Sequence, residues 1–319
     1  MIVSCGMKRW QRDLLDSKRA QSISNWAQRR SMPGASDVSL YDVSGYFIQE
    51  VVGTKLNVRC AAVTYNFLMA IPPTLLVLFT LIPYLPLKGV QDTIIETLRL
   101  VAPNDIYISL STIITDIMNN ERTGLLSFGL ILTVYFSSNG MMGLIRNFEQ
   151  ALPIYVRRGG LRRRLTAIKL TFMLIGVVII SLAVFILQTR ALNNILLKIF
   201  NNVAIIRITS LIIVVLIIFS AISVIYTYGP SLKQRFNFVS PGSIFATVVS
   251  VITTFVFFYL VNNFFHYNQV YGSIGTLMAF MIWLWLNTFV ILLGYELNVS
   301  ILLAQVNKGK KQKTAVRDN

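Results

Sequence analysis

Six stretches of the chain stay apolar for about twenty residues, and polar or charged segments separate them. They cover about 61–85, 124–146, 169–188, 208–228, 242–262 and 274–301. A helix rises about 1.5 Å per residue, so about 20 apolar residues cross a hydrocarbon core of about 30 Å. A barrel would alternate within segments of about ten residues, and these runs do not. The pattern predicts an all-α integral membrane protein with six transmembrane helices plus amphipathic surface helices.

The surface helices come from shorter, spaced patterns. Leu40, Val43, Phe47, Val51 and Leu56 recur at spacings of three to five, which predicts an amphipathic helix lying on the cytoplasmic membrane surface. Residues 88–121 hold two more such stretches, expected to rest on the opposite surface. The chain divides into a flexible N-terminal segment 1–39 with MPGAS as a linker, a membrane domain 40–305, and a basic tail 306–319. Pro72 and Pro73 sit mid-way along the first run and predict a kink or break there. SSNG at 137–140 interrupts the second.

Composition agrees with the pattern. Only 13% of the 319 residues are charged and mean hydropathy is +0.64, too little charge to cover a soluble surface. The net charge of +16 is unevenly placed. Of the 29 Lys and Arg, 23 fall in segments 1–60, 139–169, 229–241 and 303–319, and 6 in the alternating set. That bias predicts both termini in the cytoplasm, with an even number of spans. The densest cluster is RRGGLRRR, read as a loop. Arg157, Arg158, Arg162, Arg163 and Arg164 are its candidate contacts to anionic lipid headgroups, an attraction of about 1 kcal/mol per charge. Aromatics do not interleave with them, which argues against nucleic acid as a partner. Membrane lipids are the expected partners, and homo-oligomerisation stays open.

Other chemistry is sparse. The two cysteines, Cys5 and Cys60, imply no disulfide framework. One histidine, His266, nearly excludes multi-histidine zinc sites. No P-loop is present, and no cofactor, metal or catalytic residue is expected. MIVSCGM is too short and mixed for a cleavable signal, and Met7 is an alternative start.

The informative polar residues lie in the apolar runs. Glu296 and Arg146 each stand about 22 residues into their spans, at similar depth near the cytoplasmic interface. An ion pair would lower the cost of both charges, so Glu296 is expected to pair with Arg146, or with Arg59 at the start of the first span. Glu149, one turn beyond Arg146, competes for it. The pair serves either as a lock between helices or as an inner gate. Asn287, Gly294 and Asn298 fall on one helix face, and Gly294 permits close approach of a neighbour. Together with Tyr65, Asn66, Pro72, Pro73, Ser138 and Asn139 they outline a polar cavity lined by the first, second and sixth spans.

Three stretches carry a family resemblance. AAVTYNFLMAIPPTLLVLFTLIP and SSNGMMGLIRNFEQALPIY with RRRLTAI are similar to segments of the YihY/BrkB family of bacterial inner-membrane proteins. YGSIGTLMAFMIWLWLNTFVILLGYELN closely resembles that family's most recognisable block. The match covers about residues 40–305, with two prolines where the family often has one. The resemblance implies six helices and cytoplasmic termini. Labels attached to the family include ribonuclease BN, virulence or serum resistance, and envelope lipid transport. Metal-dependent RNA hydrolysis needs clustered carboxylates or histidines. Glu149 and Glu296 alone are too few, so no enzyme activity is expected. The reading is a transporter or flippase-like protein for a lipid or amphipathic envelope component. A non-transporting scaffold is the alternative, and a membrane-tethered ribonuclease stands third.

Overall fold

The computed structural model describes residues 25, 26, 28–32, 35–53, 56–81, 123–149, 152, 154–156, 158–187, 203–263 and 273–317, with isolated positions between 95 and 115. Within them a short hairpin, β1 (Ser31–Met32) with β2 (Ala35–Ser39), precedes seven helices. These are α1 (Leu40–Gly53), α2 (Leu56–Leu81), α3 (Thr123–Phe148), α4 (Gly160–Leu187), α5 (Val203–Tyr228), α6 (Pro241–Asn263) and α7 (Ser273–Arg317). Five stretches, in α3 to α7, are long and apolar enough to cross a membrane among the described residues. The first expected span falls on α2. The surface helices expected in 88–121, and His266, lie outside the described residues apart from isolated positions.

The spans are poorly covered by protein. Between 17% and 44% of each is buried, and large apolar side chains such as Phe255, Ile180 and Ile131 stand exposed. Water would not tolerate that surface, whereas lipid tails match it. This is an all-α membrane protein. Its buried core is concentrated near the connections 149–159 and 229–240. There Cys60 and Val63 of α2, Leu144, Ile145 and Phe148 of α3, Leu170 of α4, Tyr226 of α5 and Tyr295 of α7 are almost fully enclosed. We call this the basic end.

Several expectations are corrected. Strands β1 and β2 pair antiparallel within the N-terminal segment that was expected to be flexible. Its last residue, Ser39, caps α1, since its hydroxyl accepts from Asp42 N–H at 3.2 Å and donates to the Asp42 carboxylate at 2.8 Å. Helix α1 turns its apolar face to protein: Val43 is buried with Ile301 and Ala304 of α7, and Asn307 donates to the Tyr46 hydroxyl at 2.9 Å. Helix α2 continues through Pro72 and Pro73 to Leu81. Helix α4 begins at Gly160, so Arg162, Arg163 and Arg164 lie in its first turns and not in a loop. The stretch read as a basic tail continues α7 as helix to Arg317.

Candidate functional site

Two polar systems occupy the basic end. The first is built around Glu296, which is fully buried on α7. Arg59 of α2 reaches it, Nη1 to Oε1, at 2.8 Å, and also donates through Nη2 to the carbonyl of Asn147 in the last turn of α3. That carbonyl is one of the four that an α-helix leaves without an internal partner, so a guanidinium there also suits the helix dipole. Of the two partners expected for Glu296, the structure supplies Arg59. Arg146 is exposed and lines a different space. Glu149 does not take Arg146 either: its carboxylate accepts from Arg163 Nε at 2.8 Å, with Arg158 at 3.9 Å.

Aromatic packing encloses this system. Phe148 stacks on Tyr295 with ring centroids 3.9 Å apart, and Tyr226 and Phe236 meet Tyr295 edge-on. Tyr155, in the connection between α3 and α4, shares a 2.9 Å hydrogen bond with the Tyr295 hydroxyl. Burial pushes the Tyr155 phenol above its ordinary range, so it stays protonated. The same connection pairs with the one between α5 and α6: Val156 donates to Ser231 at 2.7 Å and Lys233 to Ile154 at 3.0 Å. Arg158 adds a bond to the Gly229 carbonyl at 3.1 Å, at the C-terminal end of α5.

The second system is a cavity of about 480 Å³ between α2, α3 and the start of α4. Ala62 and Asn66 line it from α2, Tyr135, Asn139, Met142, Gly143, Arg146 and Asn147 from α3, and Gly160 and Arg164 from α4. Arg164 is held by neutral groups. It donates to the Asn139 side-chain oxygen and to the Tyr135 carbonyl at 3.2 Å, and its guanidinium lies 4.6 Å from the Tyr135 ring centroid. Asn66 and Asn147 donate to the carbonyls of Ala62 and Gly143, both at 2.7 Å. Small residues keep the space open. A Cβ on Gly143 would come within 3.1 Å of the Asn66 amide.

This cavity differs from the one expected: it has walls from the first two of the three spans, with α4 in place of the sixth, and of the expected residues Asn66, Asn139 and Arg146 line it. The α7 residues serve a seam with α6. Asn287 accepts from Ser250 at 2.5 Å, with Thr254 at 3.4 Å. Gly294 lets the backbones meet, since a Cβ there would lie 2.6 Å from that of Ala246 and 2.7 Å from the Gly242 carbonyl. Asn298 accepts from Gly242 N–H at 2.7 Å and donates to Ser240 at 2.9 Å, so it caps α6 from outside. Ser138 is buried and donates to the Tyr135 carbonyl at 2.8 Å. Tyr65 and Pro72 are exposed beyond the cavity. The Pro73 side chain and Arg157 lie outside the described residues. Arg162 is exposed, whereas Arg158, Arg163 and Arg164 are engaged with protein.

Sequence reasoning missed Arg164, Tyr135 and Asn147 as cavity residues. A signal was available: Tyr135, Asn139, Gly143 and Arg146 recur at spacings of four, four and three, a small and polar stripe along one helix face. Among the described residues no group of three or more His, Cys, Asp or Glu is placed to hold a metal ion.

The chain is 32% identical over 262 residues to the ribonuclease-like protein YfkH of Bacillus subtilis strain 168, covering 79% of this chain and 90% of that one. It is 31% identical over 77 residues to the UPF0761 membrane protein PSHAa0171 of Pseudoalteromonas translucida strain TAC 125, covering 24% of this chain and 26% of that one. No solved structure matches it significantly. A family model described as virulence factor BrkB matches residues 47–319, so this chain belongs to the BrkB family of membrane proteins.

Proposed function

We propose that this protein is a transporter or flippase-like protein that moves a lipid or another amphipathic envelope component across a bacterial inner membrane, with both termini cytoplasmic. The observation that supports this reading is the cavity between α2, α3 and α4. It places two arginines and three asparagines beside helices whose outer faces are apolar, as at Phe128, Ile131 and Met69. A headgroup entering it would exchange water for fixed donors, while its chains stayed against those apolar faces. The distribution of basic residues, 23 against 6, supports a cytoplasmic position for this end. The test is reconstitution into vesicles with a fluorescent anionic lipid. Faster movement between leaflets than in protein-free vesicles supports the reading; equal rates refute it.

A non-transporting scaffold is the second reading. It draws on the seam between α6 and α7 and on the seating of α1 against α7, where polar and apolar side chains hold the helices together. It predicts vesicles no leakier to lipid than controls. Nuclease activity stands behind both, because RNA hydrolysis through metals needs clustered ligands. Metal-dependent RNA cleavage by the purified protein would reverse that order.

A further inference from the structure

The charge of the cavity is unbalanced. Among the described residues its walls carry two guanidiniums, Arg146 and Arg164, three carboxamides and no carboxylate. Other arginines of this end already face acids: Arg59 meets Glu296, and Arg163 and Arg158 meet Glu149. Arg164 is oriented by Asn139 and Tyr135, which are neutral and leave its charge intact. Those two bonds use two of the five N–H donors of a guanidinium. Arg146 makes no hydrogen bond or ion pair among the described residues and is exposed, so its donors are available. Asn66 and Asn147 each commit one N–H to a backbone carbonyl, which leaves the amide oxygen as an acceptor beside a second N–H. The space thus has a cationic part and a carboxamide part that offers acceptors.

We propose that the cavity binds a phosphate ester whose alcohol carries hydroxyls. Arg146 and Arg164 take the phosphate oxygens, and the Asn66 and Asn147 oxygens accept from the alcohol. Planar guanidinium forks match phosphate and hold it through paired donors. A volume of about 480 Å³ suits a group larger than a bare carboxylate and lies within the usual range for small-ligand sites, about 300–1,000 Å³. The phosphate ester arrives either as a phosphoglycerol-type lipid headgroup or as a free molecule in water. This assignment deepens the transport reading and rests on it only in taking the cavity as the working site.

The full chain in detergent micelles is titrated with glycerol 3-phosphate, inorganic phosphate and glycerol by calorimetry. The full chain in nanodiscs is compared with phosphatidylglycerol against phosphatidylcholine by native mass spectrometry. Glycerol 3-phosphate or phosphatidylglycerol binds, and glycerol and phosphatidylcholine do not. Arg146→Ala weakens binding about tenfold, as expected for losing a charge-assisted contact. Lys169→Ala, an exposed cation of α4 outside the cavity, changes it less than about twofold. Circular dichroism verifies that both variants fold. Binding in micelles supports the free source and binding only in nanodiscs supports the headgroup. No Arg146-dependent binding in either arm, or equal weakening by Lys169→Ala, overturns the assignment. Binding without lipid movement in vesicles keeps the site and refutes transport. Lipid movement without such binding does the reverse.

Discussion

Arg59 on α2 and Glu296 on α7 form an ion pair, Nη1 to Oε1 at 2.8 Å, with Arg59 only 13% exposed and Glu296 wholly enclosed. The same guanidinium holds the last turn of α3 through the Asn147 carbonyl. One side chain so ties three helices at the basic end. Removing Glu296 takes from the largely buried Arg59 guanidinium the carboxylate it meets, and breaking such a pair typically costs about 3–5 kcal/mol. Glu296→Ala should therefore lower the thermal midpoint in detergent sharply. Arg59→Met combined with Glu296→Leu should recover most of the loss, because matched apolar replacements avoid the stranded charge. If Glu296→Ala unfolds like wild type, the pair does not hold the bundle.

The α6–α7 seam depends on two glycines. A Cβ at Gly294 would lie 2.7 Å from the Tyr226 hydroxyl as well as 2.6 Å from Ala246, and one at Gly242 would meet the Gly294 carbonyl. Neither neighbour is the free end of a flexible chain. Gly294→Ala should cost about 1–3 kcal/mol by overpacking. Gly45→Ala, with nothing within 4 Å in α1, should be neutral or mildly stabilising. Thermal unfolding of the two variants side by side checks the difference, and equal midpoints would contradict the close approach.

Asn298 is expected to behave as a cap. Asn298→Ala removes the acceptor for Gly242 N–H and the donor to Ser240. Ser240 and Ser243 still cap each other, Ser243 N to Ser240 Oγ at 3.2 Å and Ser240 N to Ser243 Oγ at 3.0 Å. The loss should be about 1–2 kcal/mol, with exchange of the first amides of α6 accelerated more than those of its middle. Hydrogen exchange read by mass spectrometry separates the two regions.

Glu50, near the end of α1, gives a pH signature. Burial raises its pKa above the ordinary 4.5, and the nearby Arg59 only partly opposes this. The folded protein then holds the proton more tightly than the unfolded chain does. The stabilisation is fully present below pH 4.5 and is lost as pH rises through the folded value. Stability measured upward from pH 4.5 should decline less in Glu50→Gln than in wild type. Parallel pH profiles would remove Glu50 from the account.

The apolar runs made the spans legible because lipid demands an unbroken apolar helix. The expected 208–228 coincides with Ile208–Tyr228, and 242–262 lies within one residue of Pro241–Val261. Rotation about each helix axis was less legible. Arg146 and Glu296 were expected at similar depth, and only packing decides whether Arg146 or Arg59 turns toward Glu296. The stripe of Asn287, Gly294 and Asn298 was readable as a shared face, but not the neighbour it meets, which is α6 rather than a cavity. The end of α7 was hidden for another reason. Lys308, Lys310 and Lys311 end the apolar run, whereas the helix itself continues past them.

The cavity carries the functional account, so filling it is the most direct test. Ala62 is exposed on α2 at its wall, where a larger side chain can enter the space without disturbing the core. Movement of fluorescent phosphatidylglycerol between leaflets is measured in vesicles holding wild type or Ala62→Trp at equal protein content. The account predicts that the tryptophan variant falls toward the protein-free rate while remaining folded. Movement at the wild-type rate with the cavity filled would contradict it.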